Sequence, residues 1–126
     1  KYFNRKKYSN EGASVIALSS SAAFSCSKGM CTYAASKAAI NAAVKVMGKE
    51  FLKRRQRVNA ICPTFVDTPM AARMDASLGD LEKKVSGQPL GLIAPVHLAY
   101  LVEFLLSDKS SYITGACIPV SGGAIL

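Results

Sequence analysis

The stretch YAASKAAINAAVKVMGKEFLK, Tyr33 to Lys53, decides the fold. It is rich in Ala and Lys, carries Met and Leu, and holds no proline, a composition that predicts a helix. Upstream, Val15 to Ser19 is short and strongly apolar and follows the turn-like Asn10, Glu11 and Gly12, so it predicts a buried parallel strand feeding a loop at Ser20. Downstream, Arg57 to Cys62 reads as a second buried strand, stopped by Pro63. Strand, helix, strand at this spacing is one βαβ crossover, a unit that is almost always right-handed.

Inside the helix, Ala34, Ala38 and Ala42 form one row and Ala35, Ala39 and Ala43 another. Rows of small side chains allow close approach, either to a sheet or to the same helix of another subunit. Both readings stay open at this point.

The remaining chain extends the same pattern. Thr64 to Pro89 is long and polar, with Pro69, Gly79 and Gly87, and predicts a lid over about residues 67–90 with a short helix between about Ala71 and Ser86. Val96 to Leu106 places Leu98, Leu101, Val102 and Leu105 at helical spacing, with Pro95 suited to a first turn. Ala116 to Val120 predicts a last short strand. Pro119 cannot donate a ladder hydrogen bond, which favours an edge, and Gly122 and Gly123 end the strand in a turn.

Composition narrows the functional classes. The chain has 126 residues, half of them hydrophobic and 19% charged, enough for one compact domain and a sizeable core. No apolar run approaches the roughly 18 residues of a membrane helix. The four cysteines, at 26, 31, 62 and 117, lack the density of a disulfide scaffold and are expected to be reduced, buried thiols of a cytoplasmic protein. The formal charge of +8 lies mainly in Lys1 to Lys7 and Lys45 to Arg57. No aromatic residues interleave the second cluster to stack bases, so a solvated helix face is expected there and not a nucleic-acid surface. With His97 as the single histidine, a histidine-based metal cluster is excluded, and the methionines read as packing.

In a parallel sheet, ligands collect at the carboxyl ends of the strands, which directs attention to the loops after Ser19 and after Cys62. The first loop ends in Tyr33, and Lys37 follows four residues later on the same helix face. A phenol is a poor base at neutral pH unless a neighbouring cation stabilises its phenolate, and Lys37 can supply that charge. Ser20, at the strand end, can donate to a developing alkoxide.

The order of strand, serine, Tyr33 thirteen positions later, Lys37, Ala-rich helix and strand-proline is restrictive. The run Tyr33-Ala34-Ala35-Ser36-Lys37-Ala38-Ala39 resembles the catalytic motif of the short-chain dehydrogenases/reductases, particularly the keto-reductase-like members. Leu18-Ser19-Ser20-Ser21 resembles their catalytic-serine strand and Arg57-Val58-Asn59-Ala60-Ile61-Cys62-Pro63 their next strand. Ser110 to Gly115 with Ser121-Gly122-Gly123 resembles their ending.

The resemblance implies an α/β fold, the C-terminal part of a Rossmann-like doubly wound parallel sheet, with residues 1–126 as a single partial domain of about three strands and flanking helices. It implies Tyr33 as general acid/base and Ser20 as the group orienting the carbonyl. Lys37 would lower the pKa of Tyr33 and hold the nicotinamide ribose. Pro63, Val66 and Thr68 would meet the cofactor, NAD or NADP, and Met70 to Gln88 would form a substrate lid. The substrate class would be a small carbonyl or alcohol. The assembly would be a homo-oligomer, dimer or tetramer, through the Ala-rich helix.

There are departures from the pattern. Pro63-Thr64 stands where the family usually has Pro-Gly, and Leu92 and Ser121 stand where arginine and aspartate are common. No Gly-x-Gly-x-x-Gly turn is present to receive a pyrophosphate, and the chain begins nineteen residues before Ser20, leaving no position for the family's upstream active-site asparagine. The expectation is therefore a fragment, a truncated product or a chain whose first half is not represented, with little or no turnover from these 126 residues alone. A non-catalytic oligomerisation or interaction module derived from the same fold is the alternative.

Overall fold

A computed structural model of the chain describes residues 12–78 and 85–125, the side chains of 74–78 excepted. Three strands form a parallel sheet in the order β1 (Ser14–Leu18), β2 (Arg57–Pro63), β3 (Cys117–Val120). The register sets Val15 opposite Val58 and Leu18 opposite Ile61, and Ile61 in turn opposite Ile118. Between the strands lie α1 (Cys31–Glu50), α2 (Pro69–Leu78) and α3 (Pro95–Leu106).

The expected elements form, with shifted ends. β1 starts and stops one residue early, and α1 starts at Cys31 and tightens into a 3₁₀ turn over Phe51–Arg54. Pro63 does not stop β2: it is the last residue of the strand, opposite Val120, and the ladder continues through the Thr64 amide to Val120 O at 3.1 Å. Pro69 opens α2 two residues before the expected start, because its fixed φ and missing N–H suit a first turn and the Thr68 hydroxyl accepts from the Ala71 amide. The expected continuation toward Ser86 lies partly outside the described residues. β3 occupies the edge of the described sheet, as Pro119 requires.

Every residue of β2 is buried, so the strand is covered on both faces. On one face Val58, Ala60 and Cys62 meet Val44 of α1, with Val15, Ala17, Ile40, Met47, Phe51 and Cys117 packed around them. Fully burying a valine such as Val44 or Val58 contributes about 1.5–3 kcal/mol. On the other face Arg57 reaches the end of α3, donating to Leu105 O at 2.8 Å, Ser107 O at 3.0 Å and Ser110 Oγ at 2.7 Å. Arg57 is thus an exception to the solvated basic face, since it is a buried cation that ties α3 to the sheet.

Of the alanine rows only Ala34 joins the sheet-facing stripe. The stripe comprises Ala34, Asn41, Val44 and Gly48, which are buried, while Ala35, Ala38, Ala39, Ala42 and Ala43 are exposed. Gly48 is needed for clearance: a Cβ there would lie 2.7 Å from the Gly115 backbone. Asn59, fully buried in β2, binds the turn before β3 through Ile113 O (2.9 Å) and the Ala116 amide (3.1 Å). Small and polar residues therefore set the approach of β3 and α1 to the central strand.

Candidate active site

The carboxyl end of β1 delivers Ser19 and Ser20 directly beneath the first turns of α1. The Ser19 amide continues the ladder to Ile61 O at 2.9 Å, and its hydroxyl donates to Lys37 O at 3.1 Å. Ser20 is buried and caps the 3₁₀ turn Ser21–Ala23, its Oγ accepting from the Ala22 amide at 3.2 Å. That bond uses a lone pair of Ser20 and leaves its proton available for a substrate oxygen.

Lys37 turns back toward the strand. Its Nζ donates to Leu18 O at 3.1 Å and lies 5.7 Å from the centre of the Tyr33 ring. Tyr33 is 43% exposed. One backbone carbonyl fixes the cation, and two of its three protons remain for other partners. Tyr33 and Lys37 are thus brought together, with Ser20 in the same β1–α1 connection.

The other predicted contacts form a second cluster after β2. Val66 forms an isolated parallel bridge with Ile93, made by the Asp67 amide to Ile93 O (2.9 Å) and the Ile93 amide to Phe65 O (3.0 Å). Because its neighbours make those bonds, Val66 turns its own N–H and C=O away from Ile93. The Thr68 hydroxyl donates to Val66 O at 3.3 Å. Thr64 does not take a positive φ, so its conformation is one that a non-glycine residue adopts, and its hydroxyl adds a bond to Val120 O at 3.3 Å. Ser121, the other polar departure, closes the terminal turn through Ile125.

Gln88 holds this second loop. It is 1% exposed, accepts from the Phe65 amide at 3.1 Å, and donates to Phe65 O at 3.2 Å and to Gly91 O. Gly122 allows it to fit, since a Cβ there would come within 2.9 Å of Gln88 Cγ. In the sequence Gln88 stands as one more polar residue of the lid, and its position between Gly87 and Pro89 is the available signal. Asn41 was also missed; it accepts from the Cys62 thiol at 3.6 Å beneath the site.

The cysteines divide into two kinds. All four are free thiols, but Cys26 and Cys31 are exposed, which corrects the expectation of burial; they flank the surface turn between Ser20 and Tyr33. Burial pushes the Cys62 and Cys117 thiols up from the ordinary value of 9.0, so both stay neutral at physiological pH. Among the described residues no group of three or more His, Cys, Asp or Glu could hold a metal, and no helix is long and apolar enough to cross a membrane.

Residues 2–124 match the family model described as enoyl-(acyl carrier protein) reductase. A short-chain dehydrogenase family protein from Francisella tularensis superposes with a TM-score of 0.83 at 31% identity, over 94% of this chain and 53% of that one. The chain belongs to the short-chain dehydrogenase/reductase family. Within this family it is 37% identical over 114 residues to a 3-oxoacyl-[acyl-carrier-protein] reductase of Thermotoga maritima, covering 90% of this chain and 46% of the relative. It is 35% identical over 111 residues to a 2,5-dichloro-2,5-cyclohexadiene-1,4-diol dehydrogenase of Sphingobium indicum, covering 87% and 44%. This short-chain dehydrogenase/reductase chain therefore spans about half the length of the curated relatives it matches. Family membership makes it an oxidoreductase-family chain with the α/β sheet expected from its sequence.

Proposed function

We propose that Ser20, Tyr33 and Lys37 are the proton-transfer group of an NAD- or NADP-dependent oxidoreductase that interconverts a secondary alcohol and a ketone. The observation that carries this reading is the placement of Lys37, anchored on Leu18 O beside the Tyr33 ring at the carboxyl end of β1. In the reduction direction Tyr33 gives its phenolic proton to the carbonyl oxygen, and in oxidation the phenolate takes the proton from the alcohol. Lys37 stabilises that phenolate and offers its remaining protons to ribose hydroxyls. Ser20 donates to the same substrate oxygen and orients it.

When bound, the nicotinamide supplies the hydride or accepts it. The outward-facing N–H and C=O of Val66 would suit a carboxamide. Pro63 would flank the nicotinamide, and Thr68, at the start of α2, would stand near the phosphates, where a helix N-terminus favours negative charge. Residues 67–90 would act as the lid over a small carbonyl or alcohol substrate. The exposed face of Ala35, Ala38, Ala39, Ala42 and Ala43 supports a homo-oligomer through α1, and the free thiols suit a cytoplasmic setting. That same face also supports the alternative of a non-catalytic interaction module, which saturable NAD(H) or NADP(H) binding by this chain would count against.

Replacing Tyr33 with Phe in the complete protein removes the acid while keeping the ring. Steady-state ketone reduction should fall by at least about a hundredfold, with cofactor titration little changed. Near-normal turnover by Tyr33→Phe would end the assignment.

A further inference from the structure

We infer that Cys26 and Cys31 form a redox-sensitive dithiol that closes to a disulfide across the turn ahead of Tyr33. The segment Cys26-Ser27-Lys28-Gly29-Met30-Cys31 contains a closed β-turn, with the Met30 amide donating to Ser27 O at 3.2 Å. Such a turn holds its end residues within about 7 Å, and the two cysteines lie immediately outside those ends. Gly29, third in the turn, has φ +86°, which the type II geometry demands at that place. A Cβ there would meet nothing within 4 Å, so the glycine is required by conformation and not by space.

Both thiols are exposed and unpaired, and a peroxide can reach them. A disulfide needs a Cα separation of about 4.4–6.8 Å, a range that small rotations at the residues flanking a closed turn can reach. Cys62 and Cys117 offer no competing route, since they pack in and around the core of the sheet.

The step is a two-electron oxidation by a peroxide. One thiolate attacks the peroxide oxygen, breaking the O–O bond and releasing an alcohol or water, and becomes a sulfenic acid. The second thiol attacks that sulfur and expels water, leaving the disulfide. The cysteines lose two electrons and two protons together, and the peroxide is reduced. Because Cys31 is the first residue of α1 and Tyr33 follows two residues later, the new bond braces the connection from Ser20 to Tyr33. The inference depends on no role for Tyr33 itself.

The test uses the reduced chain, one equivalent of hydrogen peroxide, alkylation of remaining thiols and tryptic mapping. Trypsin cuts after Lys28, between the two cysteines, so closure yields the peptide Tyr8–Lys28 joined to Gly29–Lys37. The expected result is that pair in a product of monomer size, lost on reduction. Gly29→Ala should slow closure about fivefold to thirtyfold in the folded chain, the factor one left-handed alanine is worth. In guanidinium the two chains should close at equal rates. Both thiols recovered separately, covalent dimers through either cysteine, or wild-type closure by folded Gly29→Ala would each overturn the inference.

Discussion

The two loops at the carboxyl edge of the sheet are built in opposite ways. The loop after β1 presents side chains held by neighbours: Lys37 on Leu18 O, Ser19 on Lys37 O, Ser20 on the Ala22 amide. The loop after β2 offers backbone groups, and a buried side chain, Gln88, ties them to the chain 23 residues on, beside the Val66–Ile93 bridge and the Thr64 and Thr68 hydroxyls. In the first, the work is spread over several modest bonds, each adding about 1 kcal/mol. In the second a single buried amide, Gln88, makes three of the bonds.

That contrast can be broken from either side. Gln88→Ala leaves the Phe65 amide and Gly91 O without their buried partner and opens a cavity, so stability should fall by about 2–4 kcal/mol. Thermal unfolding would read this, and a loss under 1 kcal/mol would mean that the Val66–Ile93 bridge holds the loop unaided. Ser19→Ala removes one bond of several in the other region and should cost about 1 kcal/mol. A larger loss would show that the β1–α1 connection is as dependent on one residue as the β2 loop.

A smaller effect should appear with pH. The Cys62 thiol is raised in the folded chain, chiefly by burial, above the ordinary 9.0 expected when unfolded. The folded state therefore holds its proton longer, and this contribution to stability is full below pH 9.0 and lost as pH rises through the folded value. Cys62→Val should flatten the alkaline decline relative to wild type, as read by melts between neutral and alkaline pH. An unchanged decline would assign it to other groups.

The same contrast explains what the sequence made legible. Val15 to Ser19, Arg57 to Cys62 and the long Ala-rich stretch declare themselves by local composition, and the Tyr33–Lys37 spacing declares a shared helix face. The Gln88 clamp joins positions 23 residues apart through a loop with no periodicity, and only the folded chain brings them together. The alanine rows left two readings open because small side chains fit either a sheet or an exposed face; the packed stripe takes only Ala34 from them and adds Asn41, Val44 and Gly48, with Asn41 and Gly48 placed by Cys62 and Gly115 across the structure. Cys26 and Cys31 likewise follow the rule for buried cysteines in sequence and break it in the turn. Pro63 ends β2 without excluding itself from it, since the next donor belongs to Thr64.

The most direct test of the account is single-turnover hydride transfer to a ketone by the complete protein carrying Lys37→Met, which keeps an unbranched side chain one atom shorter and removes its charge. With the fold verified by its melting temperature, the account predicts a fall of about 10²–10⁴ in the transfer rate, because the proposed acid/base Tyr33 loses its neighbouring cation. A rate within a few-fold of wild type would contradict it.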